Sequence, residues 1–243
     1  QTRRSGEDYI LHPVAVASIL AGMRMDHQTI TAAILHDTVE DTDVSVDDLK
    51  REFGEQVARL VDGVTKLDKM KFRTRQEADA ESFRKLLLAM SRDLRVIFIK
   101  LADRLHNMRT IQSMSGDSRR RISNETLAIY APIADRLGMN TLKLELEELG
   151  FANLYPNRYR VIERRSRSVA KNRKEIIDSV SDALKKRLDG AGIPCRVEGR
   201  QKSIYSVYKK MRDKSLSFRE VYDLYAFRII TQAESHCYQA LGV

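Results

Sequence analysis

Apolar residues recur on a helical period through most of the chain, and only four prolines interrupt its 243 residues. From Pro13 to about Met25 this period predicts a helix whose first turn accommodates the proline. Residues 28–40 predict a second helix, and the sequence SVDD at 45–48 is typical of a capping box opening a third helix that extends to residue 67. The chain is therefore predicted to be mainly α-helical.

The middle of the chain continues this pattern after one interruption. Residues 67–80 are charged and lack strong periodicity, which predicts a mobile connection. Helical patterns then return over three stretches, the last of them broken at Gly138: residues 80–90, 93–111 and 125–151. The stretch at 93–111 is rich in isoleucine and leucine, so we expect a long buried helix.

The period changes in the last quarter of the chain. Residues 158–190 are basic and helical, and they end at a pair of nearby glycines. Beyond them, aromatic and β-branched residues predict strands at 193–199 and 221–231, with a helix at 203–211 between the strands. An all-helical part therefore gives way to an α/β part somewhere between residues 150 and 193.

Composition and charge limit the classes of protein to consider. The net charge of +9 favours polyanionic partners such as nucleic acid, nucleotides or pyrophosphate, without choosing among them. Residues 158–174 carry eight Arg or Lys, but few aromatic residues interleave with them, so a solvated helix is preferred to a nucleic-acid site. No apolar run reaches the length of a membrane span, and two cysteines far apart in sequence do not make a disulfide framework. We expect a cytoplasmic protein.

Four ionisable residues crowd into the short sequence ILHDTVEDT: His36, Asp37, Glu40 and Asp41. Glu40 and Asp41 each follow one of the first two by four residues, about one helical turn. A hard divalent cation would explain why imidazole and carboxylate groups gather beside the apolar residues that precede them. The alternative is an exposed helix end with acidic residues and no ligand.

Two other stretches favour the metal interpretation. His12 lies at a predicted helix start among apolar residues, and Asp103 lies within the predicted buried helix, where an unpaired carboxylate would be costly. Asn107 and Thr110 follow Asp103 on the same helix face, with His106 beside them. Pairing of Asp103 with Arg104 or Arg109 is the alternative, although both arginines lie on other faces of that helix.

The ordered set His12, His36-Asp37 and Asp103 resembles the HD superfamily of metal-dependent phosphohydrolases. The surrounding sequences AAILHDTVEDT, LRVIFIKLADRLHNMRT, YPNRYRVI and GIPCRVEGRQKSIYSVYKKM resemble the RelA/SpoT homologue family, of the long bifunctional SpoT/Rel type, and this resemblance covers essentially the whole chain. It implies a mainly α fold with a (p)ppGpp hydrolase domain at 1–150, a basic helical connection at 151–192, and the truncated start of a nucleotidyltransferase-like (p)ppGpp synthetase domain at 193–243.

The resemblance also implies roles for individual residues of the hydrolase. Mn²⁺ would bind His12, His36, Asp37 and Asp103, and the acidic pair Glu40 and Asp41 would orient or deprotonate the attacking water. The substrate-binding residues would be Arg3, Arg4, Ser5, Asn107 and Thr110. The reaction would remove pyrophosphate from the 3′ position of (p)ppGpp and leave GDP or GTP, as part of the stringent response.

A second set of residues matches the family's synthetase, which uses ATP and Mg²⁺: Arg200, Lys202, Ser206, Lys210 and Asp223. The sequence ends at Val243, before the rest of that site, so GTP/GDP pyrophosphokinase activity is not expected here. Contacts with the ribosome or regulatory proteins would involve C-terminal domains that this sequence does not include, and neither a membrane nor a nucleic acid is an expected partner. Two other functions stay open: an HD phosphohydrolase for another nucleotide, and a catalytically silent module that binds nucleotide or RNA.

Overall fold

A computed structural model describes residues 6, 8–68, 93–169, 173–221 and 224–243 of the chain. These residues divide into two compact units, at 1–154 and 155–243. The predicted connection at 67–80, except for its first two residues, and the predicted helix at 80–90 lie outside the described residues. None of the described helices combines the length and the apolar character needed to cross a bilayer.

The first unit is helical throughout its described part. Its helices are α1 (Leu11–Gly22), α2 (His27–Leu35), α3 (Thr38–Asp41), α4 (Val46–Phe53), α5 (Glu55–Asp68), α6 (Arg95–Arg109), α7 (Gly116–Glu125), α8 (Ala131–Arg136) and α9 (Asn140–Leu154). A π-helical turn joins α7 to α8, and a short 3₁₀ turn follows α6. The predicted break at Gly138 is confirmed, since this residue lies between α8 and α9 and has a φ of +72°.

Local sequence explains where several helices begin and end. Ser45 and Asp48 form the predicted capping box at the start of α4. The predicted helix through residue 67 is interrupted, because Gly54 adopts a φ of +86° and separates α4 from α5. The carboxylate of Asp26 caps α2 by accepting a hydrogen bond from the amide of Thr29 at 3.0 Å.

The prediction of one helix over residues 28–40 is wrong. The chain leaves α2 at Leu35 and starts α3 at Thr38, so His36 and Asp37 form a turn between two helices. The imidazole Nδ1 of His36 donates to the carbonyl of Ala33 at 2.7 Å and so satisfies one of the open carbonyls at the end of α2.

The helix α6 is the centre of this unit, as its apolar sequence predicts. One face, which includes Ile99 and Ala102, packs in a core with residues of α1, α2 and α5. Another face, which includes Leu101 and Leu105, packs in a second core with α8 and α9. A polar residue on either of these two faces of α6 is therefore enclosed by neighbouring helices.

The second unit contains α10 (Pro156–Val169), α11 (Arg173–Gly190), β1 (Cys195–Gln201), α12 (Ile204–Asp213), β2 (Tyr225–Thr231) and α13 (Glu234–Gly242). The two strands are antiparallel, in a register that pairs Cys195 with Thr231 and Gln201 with Tyr225. A Cβ atom at Gly199 would approach Ile177 of α11 to 2.5 Å, so a glycine here lets that helix lie against the sheet. The predicted order of strand, helix and strand is confirmed within a mainly helical fold.

Candidate metal centre

Three segments of the first unit bring four polar side chains to one point. His12 lies in the first turn of α1, His36 and Asp37 lie in the turn between α2 and α3, and Asp103 lies in the middle of α6. His12, His36 and Asp103 are buried, whereas Asp37 keeps 24% of its side chain exposed. The cluster therefore has an enclosed interior and one side that solvent reaches.

The ligand-type atoms of these residues face one another at short range. His12 Nε2 lies 3.3 Å from Asp103 Oδ1, and His36 Nε2 lies 4.0 Å from the same oxygen. The two oxygens of Asp37 lie 3.1 Å from His36 Nε2 and 3.7 Å from His12 Nε2. Two ligands bound to one ion at about 2.1 Å would be separated by about 3.0 to 4.2 Å, so these spacings fit a shared cation.

The nitrogen Nε2 of His36 supplies a chemical test of that fit. Since Nδ1 donates its hydrogen to a carbonyl, which can only accept, a neutral His36 presents a lone pair at Nε2. This buried nitrogen has no hydrogen-bond partner, and a carboxylate oxygen of Asp37 lies 3.1 Å from it. A divalent cation between this lone pair and the carboxylate would be bound by both groups, so the residues fit a metal ion.

The carboxylate of Asp103 is held by two donors from its own helix. Lys100 Nζ lies 2.8 Å from Oδ2, and Asn107 Nδ2 donates to Oδ1 at 2.6 Å. Burial alone would raise the pKa of Asp103, but neighbouring positive charge, that of the Lys100 ammonium first, outweighs it, so this pKa is held well below its usual range. Asp103 is thus charged and ready to bind a cation at neutral pH.

The alternative partners of Asp103 are engaged elsewhere. The guanidinium of Arg104 lies 3.2 Å from Glu125 and 4.1 Å from the ring centre of Tyr130. Arg109 makes a two-pronged ion pair with Glu145, at 2.6 and 2.8 Å. The cation that pairs with Asp103 is therefore Lys100.

Tyr9 joins the two acidic parts of this region. Its hydroxyl lies 2.5 Å from Asp37 Oδ2 and 2.7 Å from Asp41 Oδ2. Burial raises the pKa of Tyr9 far above its usual value, and the two neighbouring carboxylates raise it further. The phenol therefore stays protonated and acts as a hydrogen-bond donor.

The other predicted hydrolase residues are placed as follows. Glu40 and Asp41 are exposed on α3, and Asp41 reaches the cluster through Tyr9. Asn107 contacts Asp103, whereas the hydroxyl of Thr110 donates to the carbonyl of His106 at 3.1 Å. The predicted substrate-binding residues Arg3, Arg4 and Ser5 lie outside the described residues.

Sequence reasoning missed two side chains that contact the cluster, and it noted a third without a role. Lys100 could have been found, because it precedes Asp103 by three residues on one helix. Tyr9 contacts residues 28 and 32 positions away, which helical spacing does not reveal. His106 had been placed beside the polar face of α6, but its contact with His12 of α1 is a tertiary one.

The residues that match a synthetase lie in the second unit. Arg200 is exposed on β1, and the amide of Lys202 donates to the carbonyl of Leu224 at 2.9 Å. Ser206 and Lys210 are one turn apart on α12, so they share a face of that helix. Asp223 lies outside the described residues, so the set as a whole stays a prediction.

Comparison with known proteins identifies the family of this chain. A model of the HD domain matches residues 1–140, and a model described as the region found in RelA/SpoT proteins matches residues 199–243. The chain belongs to the HD domain family and carries the RelA/SpoT region in its C-terminal part. The resemblance inferred from the sequence is therefore confirmed.

Individual relatives define the position within the family more closely. Over 242 residues the chain is 56% identical to the protein named bifunctional (p)ppGpp synthase/hydrolase SpoT of Escherichia coli strain K12, covering 100% of this chain and 34% of that protein. It is 50% identical, over 242 residues, to a protein of Streptomyces coelicolor named GTP pyrophosphokinase, covering 100% of this chain and 28% of the relative. The chain spans about a third of the length of the curated relatives it matches.

A solved structure described as a metazoan ortholog of SpoT that hydrolyzes ppGpp also aligns with this chain. The two are 30% identical, the alignment covers 61% of this chain and 84% of that one, and the TM-score is 0.48.

Proposed function

We propose that this chain hydrolyses (p)ppGpp in a Mn²⁺-dependent reaction that releases pyrophosphate from the 3′ position and leaves GDP or GTP. The observation that carries the proposal is the cluster of two imidazoles and two carboxylates, in which the buried His36 Nε2 has no hydrogen-bond partner. The 56% identity to a protein named (p)ppGpp synthase/hydrolase supports the choice of substrate.

The ligands of the ion would be His12, His36, Asp37 and Asp103. When bound, the ion supplies positive charge against the phosphates and makes water easier to deprotonate. Carboxylate oxygens suit hard divalent ions and imidazole nitrogens suit softer ones. A set of two of each suits a divalent ion of intermediate hardness, which supports Mn²⁺. The carboxylate of Asp103 needs no further deprotonation at neutral pH, since its pKa lies well below the usual range.

The acidic residues of α3 would act on the attacking water. Glu40 and Asp41 are exposed, so water and substrate can reach them. An ionised carboxylate near the reacting water accepts its proton as the bond to phosphorus forms. Asp41 is tied to Asp37 through the hydroxyl of Tyr9, which supports a position for Asp41 next to the metal ligands.

The nucleotide would be held by Asn107 and Thr110, with Arg3, Arg4 and Ser5 as the predicted contacts to guanine. We place the reaction in the cytoplasm, and the free thiols of Cys195 and Cys237 are in keeping with a reducing compartment. Synthesis of (p)ppGpp with Mg²⁺ at Arg200, Lys202, Ser206, Lys210 and Asp223 stays a prediction for a longer chain.

The experiment incubates the purified chain with ppGpp and Mn²⁺, then with a chelator, while GDP and pyrophosphate are measured. We expect Mn²⁺-dependent release of both products, which His36→Asn and Asp103→Ala abolish. The matched control is His27→Asn, because His27 is an exposed histidine at the start of α2, the helix that ends just before His36. Retained turnover in both cluster variants would show that the reaction occurs elsewhere.

Two competing functions give different results in the same assay. An HD phosphohydrolase for another nucleotide would turn over dGTP or a nucleoside monophosphate as well as ppGpp. A silent regulatory module would bind nucleotide or RNA and release no pyrophosphate at any Mn²⁺ concentration.

A further inference from the structure

His106 makes a side-chain contact with one of the cluster imidazoles. Its Nδ1 lies 2.7 Å from Nδ1 of His12, and the ring centres are 4.8 Å apart. His106 follows Asp103 by three residues on α6, whereas His12 belongs to α1. One helix therefore supplies a cluster carboxylate and also contacts the imidazole contributed by another helix.

A hydrogen bond between two imidazole nitrogens contains one hydrogen, so one ring donates and the other accepts. If Nε2 of a neutral His12 is to offer its lone pair to a cation, the hydrogen of that ring must lie on Nδ1. In that state His12 donates and His106 accepts. The direction of this bond thus decides which nitrogen of His12 can bind a metal ion.

The other cluster imidazole shows the same arrangement with a different acceptor. The carbonyl of Ala33 can only accept, so it holds the hydrogen of His36 on Nδ1 and leaves Nε2 open toward the cluster. For His12 the atom in the equivalent position is a ring nitrogen of His106. Partners of this kind fix both the tautomer and the ring orientation of metal-binding histidines.

We propose that His106 is a positioning residue, which accepts a hydrogen bond from His12 Nδ1 and so presents His12 Nε2 to the metal ion. The inference rests on the proposed function only in taking His12 as a metal ligand. It assigns His106 no contact with substrate and no proton transfer in the reaction.

Three variants separate this role from simple packing. His106→Leu removes the acceptor and keeps a side chain of moderate size. His106→Asn keeps an acceptor oxygen near the position of Nδ1, so it serves as the conservative rescue. His27→Leu makes the same change of residue type at an exposed position and is the matched control.

The first measurement is the affinity of the metal-free chain for Mn²⁺ alone, by isothermal titration calorimetry. We expect His106→Leu to bind Mn²⁺ about 10- to 100-fold more weakly, the usual effect of losing such a partner. His106→Asn should recover most of the affinity, and His27→Leu should bind as the wild type does. Far-UV circular dichroism and the thermal midpoint without metal identify any variant that fails to fold.

The second measurement reads the hydrogen bond itself. In long-range ¹H–¹⁵N NMR spectra of the Zn²⁺-loaded chain, we expect the Nδ1 hydrogen of His12 to be shifted downfield and protected from exchange with water. This signature should be lost in His106→Leu. A purely structural role would lower the thermal midpoint without moving this resonance.

The outcomes distinguish this proposal from the proposed function. Unchanged Mn²⁺ affinity in a folded His106→Leu, or affinity in His106→Asn as weak as in His106→Leu, overturns the role of His106 alone. If the wild type binds Mn²⁺ but releases no pyrophosphate from ppGpp, the proposed function fails and the role of His106 stands. If the wild type binds no Mn²⁺, both fail.

Discussion

The hydroxyl of Tyr9 lies 2.5 Å from Asp37 Oδ2, and this contact joins the segment before α1 to the turn between α2 and α3. The same hydroxyl lies 2.7 Å from Asp41 Oδ2. A phenol has one hydrogen to donate, so two carboxylates compete for it. Tyr9 therefore holds two like-charged groups close together, one at the cluster and one on α3.

Tyr9→Phe should lower kcat for ppGpp hydrolysis about 10- to 100-fold, because a hydrogen bond to a charged group contributes about 1.5–3 kcal/mol. Without the phenolic hydrogen, Asp37 and Asp41 repel each other and lose their relative position. Steady-state assays at saturating Mn²⁺ test this expectation. Tyr238→Phe is the matched control, since Tyr238 is 72% exposed in the other unit. Equal kcat values for both variants would show that the Tyr9 hydroxyl does not contribute to the reaction.

Asp103→Asn should destabilise the metal-free chain by about 3–5 kcal/mol, because it takes the carboxylate away from a buried cation. That cation is Lys100, whose side chain is only 10% exposed. The double variant Lys100→Met with Asp103→Asn should unfold at higher urea concentration than Asp103→Asn alone. Neither should bind Mn²⁺. If adding Lys100→Met recovers no stability, the loss caused by Asp103→Asn does not come from an unpaired Lys100.

Gly63→Ala should destabilise the first unit by about 1–3 kcal/mol, the usual cost of overpacking a core. A Cβ atom at Gly63 on α5 would lie 2.8 Å from Val96 Cγ2 on α6. The same substitution should cost less in a Val96→Ala background, where that methyl group is gone. Gly22→Ala is the control, since a Cβ there meets no atom within 4 Å. Urea unfolding of the wild type, the two single variants and the double variant gives the free energies that the comparison needs. An equal loss of stability from Gly63→Ala in both backgrounds would exclude the clash.

Asp26→Ala should lower the free energy of unfolding by about 1 kcal/mol at neutral pH, through loss of the N-cap of α2. Burial alone would raise the pKa of Asp26, but the hydrogen bonds from Thr29 and the charge of Arg95 outweigh it and lower this pKa. A carboxyl with a lowered pKa stabilises the fold above its unfolded pKa of about 3.9, and this contribution disappears as the pH falls through the folded value.

The difference in stability between wild type and Asp26→Ala should therefore be constant at neutral pH and shrink in acid. Urea unfolding at a series of pH values measures it. Asp43→Ala, which removes a carboxylate at an exposed position outside the helices, is the matched control. A difference that persists undiminished at the lowest pH would contradict a charged cap.

The helical periodicity of the sequence predicted most of the first unit, because amphipathic patterns report directly on which face is buried. The capping box at Ser45 and the break at Gly138 were also predictable, since each depends on residues close in sequence. The turn at His36 and Asp37 was not predicted, because apolar residues continue through it on a helical period. At the end of α2 a ring nitrogen of His36 donates to the carbonyl of Ala33, a contact that helix propensity does not describe.

The sequence by itself determined which residue types are available to the cluster: two imidazoles, several carboxylates and the polar face of α6. The tertiary structure decided how they meet. His12, Asp37 and Asp103 come from separate elements, and their approach depends on how α1, α2 and α6 pack in the core. Contacts such as Tyr9 with Asp37 and His12 with His106 join residues 28 and 94 positions apart, and only the folded chain brings them within hydrogen-bonding distance.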